Sequence, residues 1–535
     1  MRNHFLRAKG VAAVAIEVTV NNNISTNEWL STYNSSIYTT QEPYSRAANF
    51  ALDQNGSGAL FLIIADDGTD QSFSVKRLHT DRTTTTGNWS KTYTQTSDPD
   101  DYNIFKAEVD SSGNLIVAGS ASKADSPADV RPFVVKINGS TGAVTWCKAF
   151  GTQNHHNVTN GSSITAFCID ESDNIYMAGR VRGVDADSNP IHPYVIRIDS
   201  DGDLGWVKGI YGYSGWGNGM VQGLVHITPT SNATSDYIRL LFRAGNGASN
   251  ENIIMEVNKS NGTVNSTKYI TRDTTHWGPT SEYPASYLPE SFHLSHNGDY
   301  YLTVLRNSGI EIAVLKINSD FSSITWAKEF TLGGSKDLRL DNCRTVGVAV
   351  TKSDDVIITC ATTANESPSN RCNAYIASLD SSGDTNWQRV IEHDYTTNSV
   401  NLRFLPYAVE ADTKDNFYWC GLAPFPSTSG SVTQVGVGII KHQADTAIPA
   451  GNYITDNPHG HSDTINGCYE IEDTSHMTIS AGSWSITSSS QKGFAPNMPT
   501  FTGSNDSNAT WNLNTITLNV ADLSASDDIY YSANL

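Results

Sequence analysis

The chain has 535 residues, 38% of them apolar and 17% charged, with 55 acidic against 35 basic side chains and a formal charge of −20. The length exceeds one ordinary domain, and the acidity, with no basic run anywhere, excludes the electrostatic footprint of a nucleic-acid binder. A surface made mostly of Ser, Thr, Asn and Gly favours turns and strands over helices, so composition alone points to an all-β protein.

The first twenty residues read MRNHFLRAKGVAAVAIEVTV. Basic residues precede an apolar run, but Glu17 interrupts it and no small-x-small cleavage site follows. Val11 to Val20 therefore reads as a strand, and residues 1–42 as an N-terminal strand and docking segment. No stretch approaches the ~20 apolar residues of a membrane span.

From residue 43 the chain repeats itself. Residues 107–119 read AEVDSSGNLIVAG, residues 167–179 read FCIDESDNIYMAG, and residues 409–421 read VEADTKDNFYWCG. Each places Asp, then Asn, then Gly at one spacing: Asp110/Asn114/Gly119, Asp170/Asn174/Gly179 and Asp412/Asn416/Gly421. The frame is degraded in HLSHNGDYYLTV (293–304) and VTKSDDVIITC (350–360), and carries an insertion in ALDQNGSGALFLIIA (51–65). This spacing describes a hairpin: an apolar strand ends at Asp, whose side chain bonds the turn backbone, and a second apolar strand follows.

A second hairpin follows in each unit, as in FVVKINGSTGAVTWCKAF (133–150), YVIRIDSDGDLGWVK (194–208), AVLKINSDFSSITWAKEF (313–330) and YIASLDSSGDTNWQRV (375–390). Its last strand carries Trp146, Trp206, Trp326, Trp387 and, more loosely, Trp89, a large aromatic suited to wedging twisted sheets together. Counting first strands gives seven units, starting near Ala47, Phe105, Ile164, Val221, Glu290, Val346 and Tyr407. The fourth lacks the Trp. Four-stranded units stacked about an axis are the blades of a β-propeller. The expected architecture is an all-β, seven-bladed propeller over residues 43–457, with residues 1–42 and 458–535 joining as a small flanking β domain. MTISAGSWSIT and the alternating WNLNTITLNV (511–520) supply strands to the latter.

The frame D-x-x-G-N followed by F-V-x-K and a distant Trp resembles the seven-bladed β-propeller repeat class of bacterial surface and secreted proteins. The resemblance covers roughly residues 43–455. Units two, three, five and six match best, and four and seven depart.

Several clusters are candidate sites. His459, His461 and Asp463 lack a second ligand pair and read as a solvated loop; adjacent His155 and His156 point apart. Asp199-Ser200-Asp201-Gly202-Asp203 has its Gly too early for a calcium loop and reads as a hairpin turn. Asp185, Asp187 and Asn189, in a long polar connection, are candidate calcium or polar-ligand contacts. Tyr211, Tyr213 and Trp216 stand in a Gly-rich segment whose flat aromatic faces suit glycan or protein contact. No nucleophile elbow, Walker or Rossmann signature occurs, and no catalytic residue, metal ligand set or cofactor is assigned. The seven cysteines are odd in number and show no CxxC; Cys168, Cys360 and Cys420 sit in apolar strand patterns, so a reduced, buried set is expected.

In style, the acidic, Thr- and Asn-rich β chain resembles a structural component of a tailed-phage particle. That implies a non-enzymatic virion protein, assembled in the host cytoplasm. Its partners would be other virion proteins, copies of itself in a symmetric assembly, or a host-surface glycan. The alternatives are a bacterial cell-surface or secreted propeller that binds glycan or protein, and a propeller-based glycan-active enzyme. Fold alone does not choose among them.

Overall fold

The computed structural model describes residues 29–33, 48–55, 57–65, 72–81, 86–96, 100–123, 126–152, 163–182, 191–210, 220–226, 236–244, 251–272, 292–306, 311–332, 346–363, 372–393, 405–425, 434–448, 451–454, 468–473, 477–489, 498, 511–523 and 530–533. All elements among them are strands.

The first is β1 (Trp29–Tyr33). Blade one then follows as β2 (Ala48–Leu52), β3 (Ala59–Ala65), β4 (Ser72–His79) and β5 (Trp89–Gln95). Blade two is β6 (Asp100–Val109), β7 (Leu115–Lys123), β8 (Ser126–Ile137) and β9 (Val144–Thr152). Blade three is β10 (Ser163–Ile169), β11 (Ile175–Arg182), β12 (Ile191–Ile198) and β13 (Leu204–Gly209). Blade four is β14 (Met220–His226), β15 (Tyr237–Ala244), β16 (Glu251–Asn258) and β17 (Val264–Arg272). Blade five is β18 (Phe292–Leu294), β19 (Tyr300–Arg306), β20 (Glu311–Ile317) and β21 (Ile324–Leu332). Blade six is β22 (Val346–Val350), β23 (Val356–Thr363), β24 (Cys372–Leu379) and β25 (Thr385–His393). Blade seven supplies only β26 (Leu405–Ala411), β27 (Asn416–Phe425) and β28 (Gln434–Gln443) from its own stretch of chain. Every pairing within a blade is antiparallel, and the first strands β2, β6, β10, β14, β18, β22 and β26 meet in a closed ring. The seven first strands fall where the repeat places them.

Blade seven is completed by β1, which pairs antiparallel with β28. The register sets Trp29 opposite Lys441, as Trp146 stands opposite Lys136 and Trp326 opposite Lys316. The N-terminal strand thus carries a tryptophan at the fourth-strand position the repeat uses. The expected strand at Val11 to Val20 lies outside the described residues.

The core is divided among the blade interfaces. Phe73, Tyr93, Phe133 and Val135 fill the space between blades one and two. Val134 of blade two meets Phe167, Ile175, Met177 and Tyr194 of blade three in the next interface. Trp387, Phe417 and Trp419 lie between six and seven. Both faces of each sheet are covered by neighbouring sheets, which is why the middle strands read as continuous apolar runs such as ALFLIIA in β3 rather than as alternations.

The C-terminal segment corrects the expected flanking domain. Among the described residues, its strands do not pair with one another to form a separate unit, except for one hairpin of β29 (Gly451–Ile454) with β30 (Cys468–Asp473). β30 adds to the outer edge of β25 on blade six. β31 (Met477–Ala481) adds to β21 on blade five, and β32 (Trp484–Thr487) to β17 on blade four. β33 (Trp511–Thr515) then joins β9 on blade two, and β34 (Leu518–Asp522) joins β5 on blade one. β35 (Tyr530–Ala533) ends on β1 in blade seven. The segment therefore encircles the ring in reverse blade order. At blade three, Met498 packs into the core shared by blades three and four.

Candidate functional site

Strand direction divides the propeller into two faces. The first-to-second and third-to-fourth connections, most of them short turns, lie on one face; the second-to-third and blade-to-blade connections leave from the other. The turn face is built from the repeated Asp. Asp110 Oδ1 accepts from the backbone N–H groups of Ser112 at 3.0 Å and Asn114 at 2.8 Å, and Asn114 Nδ2 donates to Oδ2 at 3.0 Å. Asp170 and Asp412 repeat these bonds with Ser172 and Asn174, and with Lys414 and Asn416. Tyr176 and Tyr418 add a hydroxyl donor to Oδ2, each at 3.1 Å. A carboxylate with this many donors is a turn staple rather than a free acid.

The same turns tie neighbouring blades. The residue before the Asn has positive φ, 78° at Gly113 but 61° at Asp173 and 62° at Asp415. An L residue there costs about 1 kcal/mol. Asp173 offsets it by accepting from Ser111 N–H at 2.9 Å and Oγ at 2.7 Å, from blade three to blade two. Asp415 does the same to Ser353, from seven to six, at 2.8 Å for both bonds. Glu108 and Glu410 each accept the N–H of a first strand on the next blade, Ile169 at 2.9 Å and Leu52 at 3.2 Å. With Gln54 donating to the Ala411 carbonyl at 2.9 Å, these bonds also close the seam between blades seven and one.

The repeated tryptophan explains the third-to-fourth turns. Indole N–H groups of Trp89, Trp326 and Trp387 donate to Gly139, Ser381 and Ala444 carbonyls of the following blade at 2.9, 3.0 and 2.9 Å. Trp206 donates to Lys259 at 2.9 Å. The glycine of the next blade's turn lies over the ring. A Cβ on Gly202 would stand 2.9 Å from Trp146 Cδ2, and one on Gly383 2.9 Å from Trp326 Cδ2, so both the positive φ and the close approach require glycine. A basic residue on the third strand reaches the same turn: Lys136 Nζ to Ser200 O, Lys316 Nζ to Ser381 O and Lys441 Nζ to Thr80 O, each at 3.4 Å.

Asp199 to Asp203 forms a hairpin turn as expected, with Asp199 Oδ1 accepting from Asp201 N–H at 3.1 Å and Asp203 N–H at 2.8 Å. Asp185, Asp187, Asn189, Tyr211, Tyr213 and Trp216 lie outside the described residues, as do His155, His156, His459, His461 and Asp463. Their attachment points are described. The segment holding Asp185 to Asn189 joins β11 to β12, and that holding Tyr211 to Trp216 joins β13 to β14. The ends of β11, β12, β13 and β14 to which the two segments attach lie on the face opposite the turns.

Among the described residues, an ion pair and a histidine stand on the ring's inner strands. Lys106 Nζ stands 2.8 Å from Glu108 Oε1. His293 on β18 is pushed down to about 3 by burial and then by the Lys106 charge, so its imidazole is neutral. Cys147, Cys168, Cys360 and Cys420 are buried thiols outside any disulfide. Burial pushes the Cys147 thiol up to about 12 and raises Cys168 and Cys360 as well, which suits packing and not nucleophilic attack. Among the described residues, no three His, Cys, Asp or Glu side chains converge as metal ligands, and no helix is long and apolar enough to cross a membrane. Sequence reading missed the positive-φ aspartates and the capping Glu108 and Glu410; the recurrence of an acid two residues before the repeated Asp was the available signal.

No protein-family model matches the chain, and no curated protein matches it. Among solved structures, a protein of unknown function from Dyadobacter fermentans is similar over 66% of this chain and 98% of its own, at 10% identity and a TM-score of 0.40. A neuraminidase-like protein of A/flat-faced bat/Peru matches over 79% of this chain and 95% of its own, at 11% identity and a TM-score of 0.37. The phage phi92 endosialidase matches over 79% and 70%, at 7% identity and a TM-score of 0.34.

Proposed function

We propose that this chain is a non-enzymatic structural and binding component of a virus particle, of the tail or an appendage. Its propeller presents the face of long connections to a host-surface glycan or a neighbouring subunit. The observation that carries the binding part is the asymmetry of the two faces. The turn face is stapled within and between blades, whereas the segments holding Asp185 to Asn189 and Tyr211 to Trp216 leave from the other. A rigid scaffold that displays variable connections on one side is a general design for recognition. The particle assignment is supported by the acidic Asn- and Thr-rich surface and by buried cysteine thiols, which suit a protein folded in a reducing cytoplasm.

The test is mass spectrometry of gradient-purified particles, with immunogold labelling to locate the chain. Stoichiometric presence supports the reading. Absence from particles overturns it, and recovery from a bacterial surface would favour the secreted-propeller alternative. Turnover of a glycan panel by the purified protein would overturn the non-enzymatic part.

A further inference from the structure

The encircling C-terminal segment does more at each interface than add a strand. Ile516 and Leu518 join the core between blades one and two, and Leu513 that between two and three. Met498 enters the core between three and four, Trp484 and Ile486 that between four and five, and Met477 and Ile479 that between five and six. Just before the segment begins, Ala447 and Ile448 pack into the core between six and seven. Each peg removes further apolar surface from water at a blade interface.

The remaining seam, between blades seven and one, is where the ring has no continuous blade-to-blade chain except through the terminal strands. There β1 is held on both edges: Ser31 stands opposite Ile439 of β28 and opposite Ser532 of β35. β1 is sandwiched between β28 and β35, and β35 follows a segment anchored on five other blades.

We infer that the C-terminal segment is a strap that locks the propeller ring, with β35 as its catch on the N-terminal strand. The outer strands dock on edges that exist only once the fourth strands are in place, so strap contacts form after the ring. Contacts absent from the folding transition state act on the unfolding rate and leave the folding rate nearly unchanged. The lock is therefore kinetic: opening proceeds from β35, then β1, then the seam between blades seven and one. This holds whether or not the chain belongs to a particle.

Two variants of the full protein test it. The first ends the chain after Leu523 and so removes β35. The second, Ser31→Cys with Ser532→Cys, joins β1 to β35 through an engineered cross-strand disulfide at paired positions. The readouts are denaturant unfolding and refolding rates and hydrogen exchange of residues 29–33. The truncation is expected to raise the unfolding rate and the exchange of residues 29–33 by about ten-fold or more, with refolding changed by less than about two-fold. The oxidised disulfide is expected to slow unfolding by a similar factor, reversed by reductant, relative to either single-cysteine control. Unfolding and exchange of the truncated chain within about two-fold of the parent would overturn the lock. Should the truncation not fold, equal unfolding rates for the oxidised and reduced disulfide variant would overturn it.

Discussion

Arg239 on blade four lies over Phe321 on blade five, with its guanidinium carbon 4.1 Å from the ring centroid. Blade four lacks the repeated tryptophan: Ser266 stands opposite Glu256, where other blades pair a Trp with the third strand. The next blade's turn holds Phe321 at a φ of 56° in place of the usual glycine, and its ring packs on Tyr300 at 4.5 Å. The charge has moved as well. The third-strand position is Glu256, and Arg239 across from it takes over the bond to the following turn, donating to Ser319 O at 2.8 Å. Three departures in sequence thus make one alternative joint.

Phe321→Gly should destabilise the protein by about 3 kcal/mol, since the loss of a buried ring outweighs the relief of positive φ. Adding Ser266→Trp to Phe321→Gly should recover part of that loss, while Ser266→Trp alone should not stabilise. Denaturant midpoints of the four proteins form a double-mutant cycle. Additivity within about 0.5 kcal/mol would contradict the exchange.

The Asp110–Lys136 pair, 2.9 Å apart with side chains 1% and 14% exposed, is buried. Burial disfavours the Asp110 anion, but hydrogen bonds from Lys136 and Asn114 outweigh it and hold the carboxyl below the usual range. Lys136→Met should cost about 3 kcal/mol at neutral pH, because a buried charge loses its partner. A lowered folded pKa gives stability that is present above the unfolded carboxyl range, about pH 4, and is lost as pH falls through the folded value. The Met variant should therefore lose less of its remaining stability on acidification than the parent does, as read by thermal melts across the acid range.

Asp355 carries the opposite sign. Its pKa is raised by burial, partly countered by the Asn386 amide, with the charges of Asp445, Asp415 and Asp380 adding to the rise. A raised folded pKa favours the protonated form, so the contribution to stability is greatest at acid pH and falls as pH rises through the folded value. Asp355→Asn keeps an acceptor for Asn386 and removes the charge. Its urea midpoint should exceed the parent's at pH 7 and match it in acid; a lower midpoint at neutral pH would rule out this account.

In blade five the Asp and Asn of the frame are replaced by Ser295 and Asp299. Lys316 accordingly contacts Asp299 Oδ2 at 3.4 Å, while Ser295 Oγ and Tyr301 Oη are buried without a partner. Ser295→Asp together with Asp299→Asn should restore the acceptor that Tyr176 and Tyr418 have, raising stability by about 1 kcal/mol. Ser295→Asp alone adds a second carboxylate beside Asp299 and should give no gain. Thermal melts of the single and double variants distinguish these outcomes.

Six of the hairpin frames, the first strand of each blade and the burial of Cys168, Cys360 and Cys420 were legible in the chain. Asp110 stapling Asn114, or a glycine under a tryptophan, depends on neighbours a few residues away or on a strict repeat. The encircling strap was not legible. β31 and β34 show the residue types of strands, but backbone N–H and C=O groups are alike on every sheet edge, so nothing local names the edge a strand will join. The same holds for Trp29, whose place opposite Lys441 was set by closure of the ring much later in the chain. Local chemistry determined the blade, and only the assembled ring, by creating seven outer edges and one seam, decided where the two ends of the chain would go.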